Sequence, residues 1–204
     1  MADVAERLNA SGIEWMLVGS AATALRGAAI VPADIDIAVH TAAEVSDAAT
    51  VLPTPAGPPA RPDDPAGWFS TAAEPSIRFD HAGEHWTFGK WIIDEVKVEL
   101  AHIDAPAAAA LMMETRSTLV WNERETLTCL GQPIPTVPIE AQLATMIARQ
   151  QDSRIRAAIA AIDPAQLDVT LLRRAISDRR SEVPGLAIPL SIQHLLAEGQ
   201  AAID

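Results

Sequence analysis

Apolar and polar positions along this chain follow two periods, one near 3.6 and one of 2. Val4, Leu8 and Ile13 frame a short amphipathic helix ending near Ser11-Gly12. Ile13 to Val18 (IEWMLV) is a β-like apolar run stopped by Gly19-Ser20, and AATALR then predicts a short helix closed by Gly27. Residues 28–33 turn the chain, with Pro32 fixing one φ angle. Asp34 to His40 (DIDIAVH) alternates strictly, the mark of a half-buried strand. Thr41-Ala42-Ala43-Glu44 has capping-box form and predicts a helix to about Leu52.

The pattern then breaks. Residues 53–66 hold six prolines, which permit neither helix nor central strand. The stretch is expected to be a surface connection, with a lid over a ligand as the alternative. Period-two runs resume over 77–103 as IRFDH, HWTFGKWII and VKVELAHI, with a turn at Asp94-Glu95-Val96. Ala105 to Glu114 predicts a helix, and residues 117–134 (STLVWN, TLTCL, GQPI) suggest a second, short hairpin. Pro138 opens a helix, IEAQLATMIARQ, followed by helices at roughly 153–162, 166–179 and 190–200. The first half is therefore mixed α/β and the last third helical.

Composition narrows the function classes. The 204 residues carry 27 Asp+Glu against 15 Lys+Arg, a net charge of −12. That balance counts against an extended nucleic-acid surface, because phosphate backbones are held mostly by Lys and Arg; a local basic groove stays open. One cysteine, Cys129, excludes an internal disulfide framework and a cysteine-cluster metal site. The acidic start shows no signal peptide. The longest apolar stretch, about Ala107 to Met113, is far short of the roughly 18 residues of a membrane span. A soluble, cytoplasmic protein without a membrane partner is expected.

No P-loop and no Gly-x-Gly-x-x-Gly fingerprint is present, which removes the commonest nucleotide folds. His40, His81, His85, His102 and His194 lack ligand spacing and read as surface or structural side chains, His40 and His102 being the least so because they end the two strands of interest. The informative element is Asp34-Ile35-Asp36. On a strand, Ile35, Ile37 and Val39 face the core, and Asp34 and Asp36 stand together on the other face with Cα atoms ~6.6 Å apart. Two adjacent carboxylates repel, and a divalent cation relieves the repulsion; Mg²⁺ takes oxygen ligands of this kind together with substrate phosphates. Gly19-Ser20 lies at a strand-to-helix junction, where unpaired N–H groups favour phosphate, although Ser20 is equally an ordinary helix cap. In Val96-Lys97-Val98-Glu99-Leu100, Val96, Val98 and Leu100 alternate inward and leave Glu99 outside. Glu99 completes an acidic triad if its strand pairs beside the Asp34–Asp36 strand; otherwise it is solvated or paired with a neighbour such as Lys97.

The run Val18 to Gly27 (VGSAATALRG), followed by Asp34 to Val39 (DIDIAV), resembles the nucleotidyltransferase superfamily in its minimal and AbiEii-like branches. The matching elements are the glycine-serine turn, the double aspartate and a later acidic residue, here Gly19-Ser20, Asp34 with Asp36, and Glu99, over residues 13–103. The resemblance implies an α+β fold: a small mixed sheet flanked by helices, then a helical C-terminal part. It divides the chain into a 1–135 core, with the proline-rich loop, and a 136–204 helical subdomain. It also implies that Asp34, Asp36 and Glu99 hold Mg²⁺, that Gly19 and Ser20 cradle a nucleoside triphosphate, and that a nucleotidyl group passes to a hydroxyl acceptor. That acceptor is a small molecule, a protein or a tRNA end, with a toxin–antitoxin role open. Arg26, Lys97 and Arg149 are the candidates for neutralising the triphosphate. In the second half Arg149 and Asp152 match the superfamily run, whereas Gln151 and Arg154 depart from it, Thr145 stands near a usual lysine, and Ile30 and Pro32 replace an Arg and a Thr.

The remaining features have plainer readings. Trp15, Trp68, Trp86, Trp91 and Trp121 read as packing residues, with base stacking by Trp68 and Phe69 as an alternative. Cys129 reads as inert, and the Arg173-Arg174 and Arg179-Arg180 pairs as favouring a helix C-terminus or an acidic protein partner. Two hypotheses follow: an active Mg²⁺-dependent nucleotidyltransferase, and a catalytically silent relative that binds nucleotide or protein. The departures in the second half motivate the latter, and the three carboxylates argue for the former.

Overall fold

A seven-stranded mixed sheet organises the protein. The structure, a computed structural model, describes residues 1–56, 67–81, 83–104 and 118–201. In chain order the elements are α1 (Ala2–Ser11), β1 (Trp15–Val18), α2 (Gly19–Leu25), β2 (Asp34–Val39) and α3 (Ala42–Val51), then β3 (Ile77–His81), β4 (Glu84–Ile93) and β5 (Val96–Asp104). There follow α4 (Thr118–Asn122), β6 (Glu125–Cys129), β7 (Gln132–Thr136), α5 (Ile139–Ala148), α6 (Asp152–Ala161), a 3₁₀ turn (Pro164–Gln166), α7 (Val169–Glu182) and α8 (Leu190–Ala201). The strand order is β3-β4-β5-β2-β1-β7-β6. β2 runs parallel to β5 and β1 parallel to β7, and the other neighbours are antiparallel. The α+β expectation, a mixed sheet with a helical last third, is the observed architecture.

Local chemistry explains the boundaries. Gly12 ends α1 in the left-handed region (φ 77°). Thr41 and Glu44 form the expected capping box at the start of α3. The β4–β5 turn uses Asp94 and Glu95, both at positive φ (49° and 64°), which matches the twist of a two-residue hairpin. Helix α5 is buried from Ile139 to Ile147, as a helix apolar on most sides must be, and packs on α6 and α7. Among the described residues no helix is long and apolar enough to cross a membrane.

Two expectations meet the structure differently. Thr118–Asn122 is helical rather than a hairpin strand, and the second hairpin is β6–β7 alone. This short apolar run has no alternation to separate the two states; Val120 and Trp121 bury on a helix instead. Val96 is 40% exposed rather than inward, because it is the first residue after the hairpin turn. The predicted helix over 105–114 and most of the proline-rich stretch lie outside the described residues.

The sheet has two unlike faces. Ile35, Ile37 and Val39 share one face with Val98, Leu100 and Trp91, buried where α3 packs on β2, β4 and β5. Gly89 lies in this face because a side chain would not fit. A Cβ there would stand 2.7 Å from Trp91 Cζ3 and 3.1 Å from Val45 Cγ1. Gly89→Ala should therefore cost about 1–3 kcal/mol of stability, read as a lower urea midpoint.

Glu140, buried at the start of α5, accepts the Asp168 N–H at 2.8 Å. Burial holds its carboxyl above the ordinary value of 4.5, against the pull of backbone donors. Its contribution to stability is therefore full below about pH 4.5 and is lost as pH rises through the raised value. Glu140→Gln keeps an oxygen for Asp168 and should flatten that loss in urea midpoints measured across mildly acidic to neutral pH.

Candidate active site

Strand register assembles the site. The parallel pairing of β2 with β5 sets Asp36 opposite Glu99 and Asp34 opposite Lys97. Alternation puts all four on the face opposite Ile35 and Leu100. One carboxylate oxygen from each of Asp34, Asp36 and Glu99 lies within 4.8 Å of the others, and all three residues are half-buried. The adjacency left open by the sequence is thus present.

Lys97 sits among these acids. Its ammonium donates to Asp34 Oδ2 at 2.7 Å and to Glu99 Oε1 at 3.0 Å. The hydrogen bond to Asp34 holds its pKa well above the ordinary lysine value, partly offset by desolvation and reinforced by Glu99. Both sequence readings of Glu99 are therefore realised at once: it belongs to the cluster and it pairs with Lys97.

Gly19 forms the wall on the β1 side. It has φ 65°, and a Cβ would meet the Asp36 carboxylate, with Cγ at 3.0 Å and Cβ at 3.1 Å. Only glycine permits both the backbone angle and the close approach. Ser20, next in the chain, is buried in the first turn of α2. The Gly19 carbonyl accepts from Gln142 Nε2 of α5 at 2.8 Å. Gln142 Oε1 in turn accepts from Arg26 Nη1 at 3.1 Å.

The other two cations lie elsewhere. The Arg26 guanidinium is buried, pairs with Glu125 at 3.2 Å and donates to the Val137 carbonyl. Burial lowers its pKa, and Glu125 opposes that. Arg149 is exposed at the C-terminal end of α5. Thr145, where the superfamily run suggested a lysine, accepts from Arg179 Nη2 of α7 at 2.8 Å, so a cation reaches this position from a different helix. His40 pairs with Glu14 and stacks on Trp121, and His102 Nδ1 lies 3.4 Å from the Val39 carbonyl. Trp68 is buried and Phe69 lies 4.8 Å beneath Lys90 Nζ.

Sequence reading did not single out Gln142. Its signal was an amide within the apolar run IEAQLATMIA, since a polar side chain buried in such a helix requires a partner.

No protein-family model matches the chain, and no curated protein matches its sequence. Two solved structures are similar to it. One is a candidate nucleotidyltransferase from Thermotoga maritima, with 15% identity and a TM-score of 0.49, covering 75% of this chain and 84% of that one. The other is an antigenic nucleotidyltransferase-like protein from Paracoccidioides brasiliensis, with 16% identity and a TM-score of 0.49, covering 96% of this chain and 90% of that one. The chemistry of the site is read from its own residues.

Gly12 and Gly19 provide an internal comparison, because both have positive φ but only Gly19 faces a neighbour. Gly19→Ala should cost about 1–3 kcal/mol more than Gly12→Ala in thermal unfolding, from the added clash with Asp36. Equal losses would show that Asp36 does not pack against residue 19.

Proposed function

We propose that the chain is a metal-dependent nucleotidyltransferase that moves a nucleoside monophosphate from a nucleoside triphosphate to a hydroxyl acceptor. The observation that carries this is the convergence of Asp34, Asp36 and Glu99 against the Gly19 backbone. The donor set fits a hard divalent cation such as Mg²⁺. It consists of half-buried carboxylate oxygens within bridging distance, and it already draws the Lys97 ammonium into contact with two of its members.

Asp34, Asp36 and Glu99 would hold the cation, which would supply charge neutralisation to the phosphoryl group during transfer. Gly19 lets the Asp36 carboxylate lie against the backbone of the turn, and Ser20 supplies an adjacent N–H and hydroxyl for the triphosphate. Gln142, locked by Arg26, fixes the Gly19 carbonyl and so the turn. Glu99 lies on the side away from Gly19 and orients the acceptor hydroxyl. The acceptor oxygen forms a bond to the α-phosphorus, the bond from that phosphorus to pyrophosphate breaks, and the hydroxyl proton passes to a triad carboxylate or to solvent. Lys97, which contacts Asp34 and Glu99, is the cation this reading assigns to the triphosphate. Catalysis here is positioning and charge neutralisation.

A second reading is favoured by Lys97 itself. Its ammonium already offsets part of the triad's charge, as a catalytically silent nucleotide- or protein-binding module would require. Metal binding separates the two. Titration with Mn²⁺ as a spectroscopic probe should show a site in the native chain, weakened about tenfold or more by Asp36→Asn because the ligand charge falls. Lys97→Met should bind Mn²⁺ more tightly than the native chain and triphosphate less tightly. Label transfer from an α-labelled triphosphate should disappear with Asp36→Asn. Absence of both metal binding and transfer in the native chain would leave the silent module.

A further inference from the structure

We propose that the aromatic rings beside the triad form the acceptor subsite, and that the acceptor is a small hydroxyl compound bearing a flat heteroaromatic ring, nucleoside-like and without a long phosphate backbone. The inference rests on the nucleotidyltransferase reading above and adds the acceptor class to it.

The ladders from β2 through β5 and β4 to β3 run without a bulge, so alternation carries one face across all four strands. Lys90, Glu99, Asp36 and Val18 form one row on this face, and Gly19 follows Val18. Ile77, Phe88 and Ala101 lie two residues further along, and Phe79, Trp86 and Ile103 two beyond those. The triad and the aromatic residues therefore share a face. Phe79 stacks on Trp86 with ring centroids 5.9 Å apart at 13°, and Phe88 meets Phe79 edge-on at 6.1 Å and 69°.

The position and exposure of these rings assign the aromatic shelf they form to the acceptor. In-line transfer puts the leaving pyrophosphate and the entering oxygen on opposite sides of the α-phosphorus. Gly19 and Ser20 lie on the β1 side of the aspartates, whereas Glu99, Phe88 and Trp86 lie on the β5–β4 side. Ladder spacings put the Phe88 Cα ~8 Å and the Trp86 Cα ~14 Å from that of Glu99. A ring resting on Phe88 lies about one sugar's length from a hydroxyl at Glu99, with Trp86 at the far end of the same row. The shelf is also accessible: Phe79 is 40% exposed and Trp86 half-buried, whereas Trp15, Trp68, Trp91 and Trp121 are all buried. The net charge of −12 disfavours a polyanionic acceptor.

The test uses the full chain with adenosine and cytidine as ring-bearing probes and ribose as the ringless one. The nucleosides should quench tryptophan fluorescence and ribose should not. Trp86→Phe should abolish the quenching yet retain binding by equilibrium dialysis. Phe79→Ala should weaken nucleoside binding about five- to a hundredfold, the range of one lost stacking partner, with Mn²⁺ binding unchanged. Quenching that persists in Trp86→Phe, equal binding of ribose and adenosine, or unchanged binding in Phe79→Ala would overturn the proposal. So would a Phe79→Ala loss in triphosphate affinity as large as that for nucleoside, which would assign the shelf to the donor base. Salt-sensitive binding of an oligoribonucleotide without nucleoside binding would point to a polyanionic acceptor and also overturn it. Nucleoside binding without Mn²⁺ binding would instead sink the transferase reading and leave the shelf as a ring-binding site.

Discussion

The site depends on a repulsion that the fold imposes and then partly compensates. Parallel pairing of β2 and β5 brings three carboxylates within a few ångströms, which the acids alone would resist. Lys97, on the same strand as Glu99, offsets part of that charge by reaching both Glu99 and Asp34. The cluster is thus kept together by the Lys97 ammonium, which any divalent ion would have to displace. Compensation of this kind preserves the geometry without filling the site permanently, since the lysine stem is flexible and the side chain remains partly exposed.

Much of this was readable from residues that act locally. The alternation in DIDIAVH fixed which side of β2 carries the aspartates, and Thr41 with Glu44 marked the start of α3. The VKVEL run gave the face of Glu99 but not its neighbour. Adjacency of β2 and β5 is a long-range contact that no periodicity encodes. For the same reason Gln142 escaped notice, because its partner Gly19 lies across the fold. Thr118–Asn122 was misread because a five-residue apolar run fits helix or strand until its environment decides. The shared face of Phe79, Trp86 and Phe88 emerges only when three ladders are read in register.

Gln142 also bears on how the two ends of the chain cooperate. A bond from α5 to the Gly19 carbonyl, backed by Arg26, ties the helical last third to the turn beside Asp36. One cluster of buried side chains runs from Val4 to Leu195, so the helices and the sheet share a core. Changes in the C-terminal helices that look remote in sequence therefore have a direct mechanical route to the turn.

The parallel pairing of β2 with β5 has a consequence for biosynthesis. The aspartates leave the ribosome well before Glu99 and Lys97, and β3 and β4 are made in between. Until β5 has been translated and seated, the early acids have neither their third member nor their neutralising lysine. Closing that loop is an entropic cost met only late in folding. A nascent or prematurely terminated polypeptide therefore lacks the assembled acidic cluster, which exists only once the central sheet is complete.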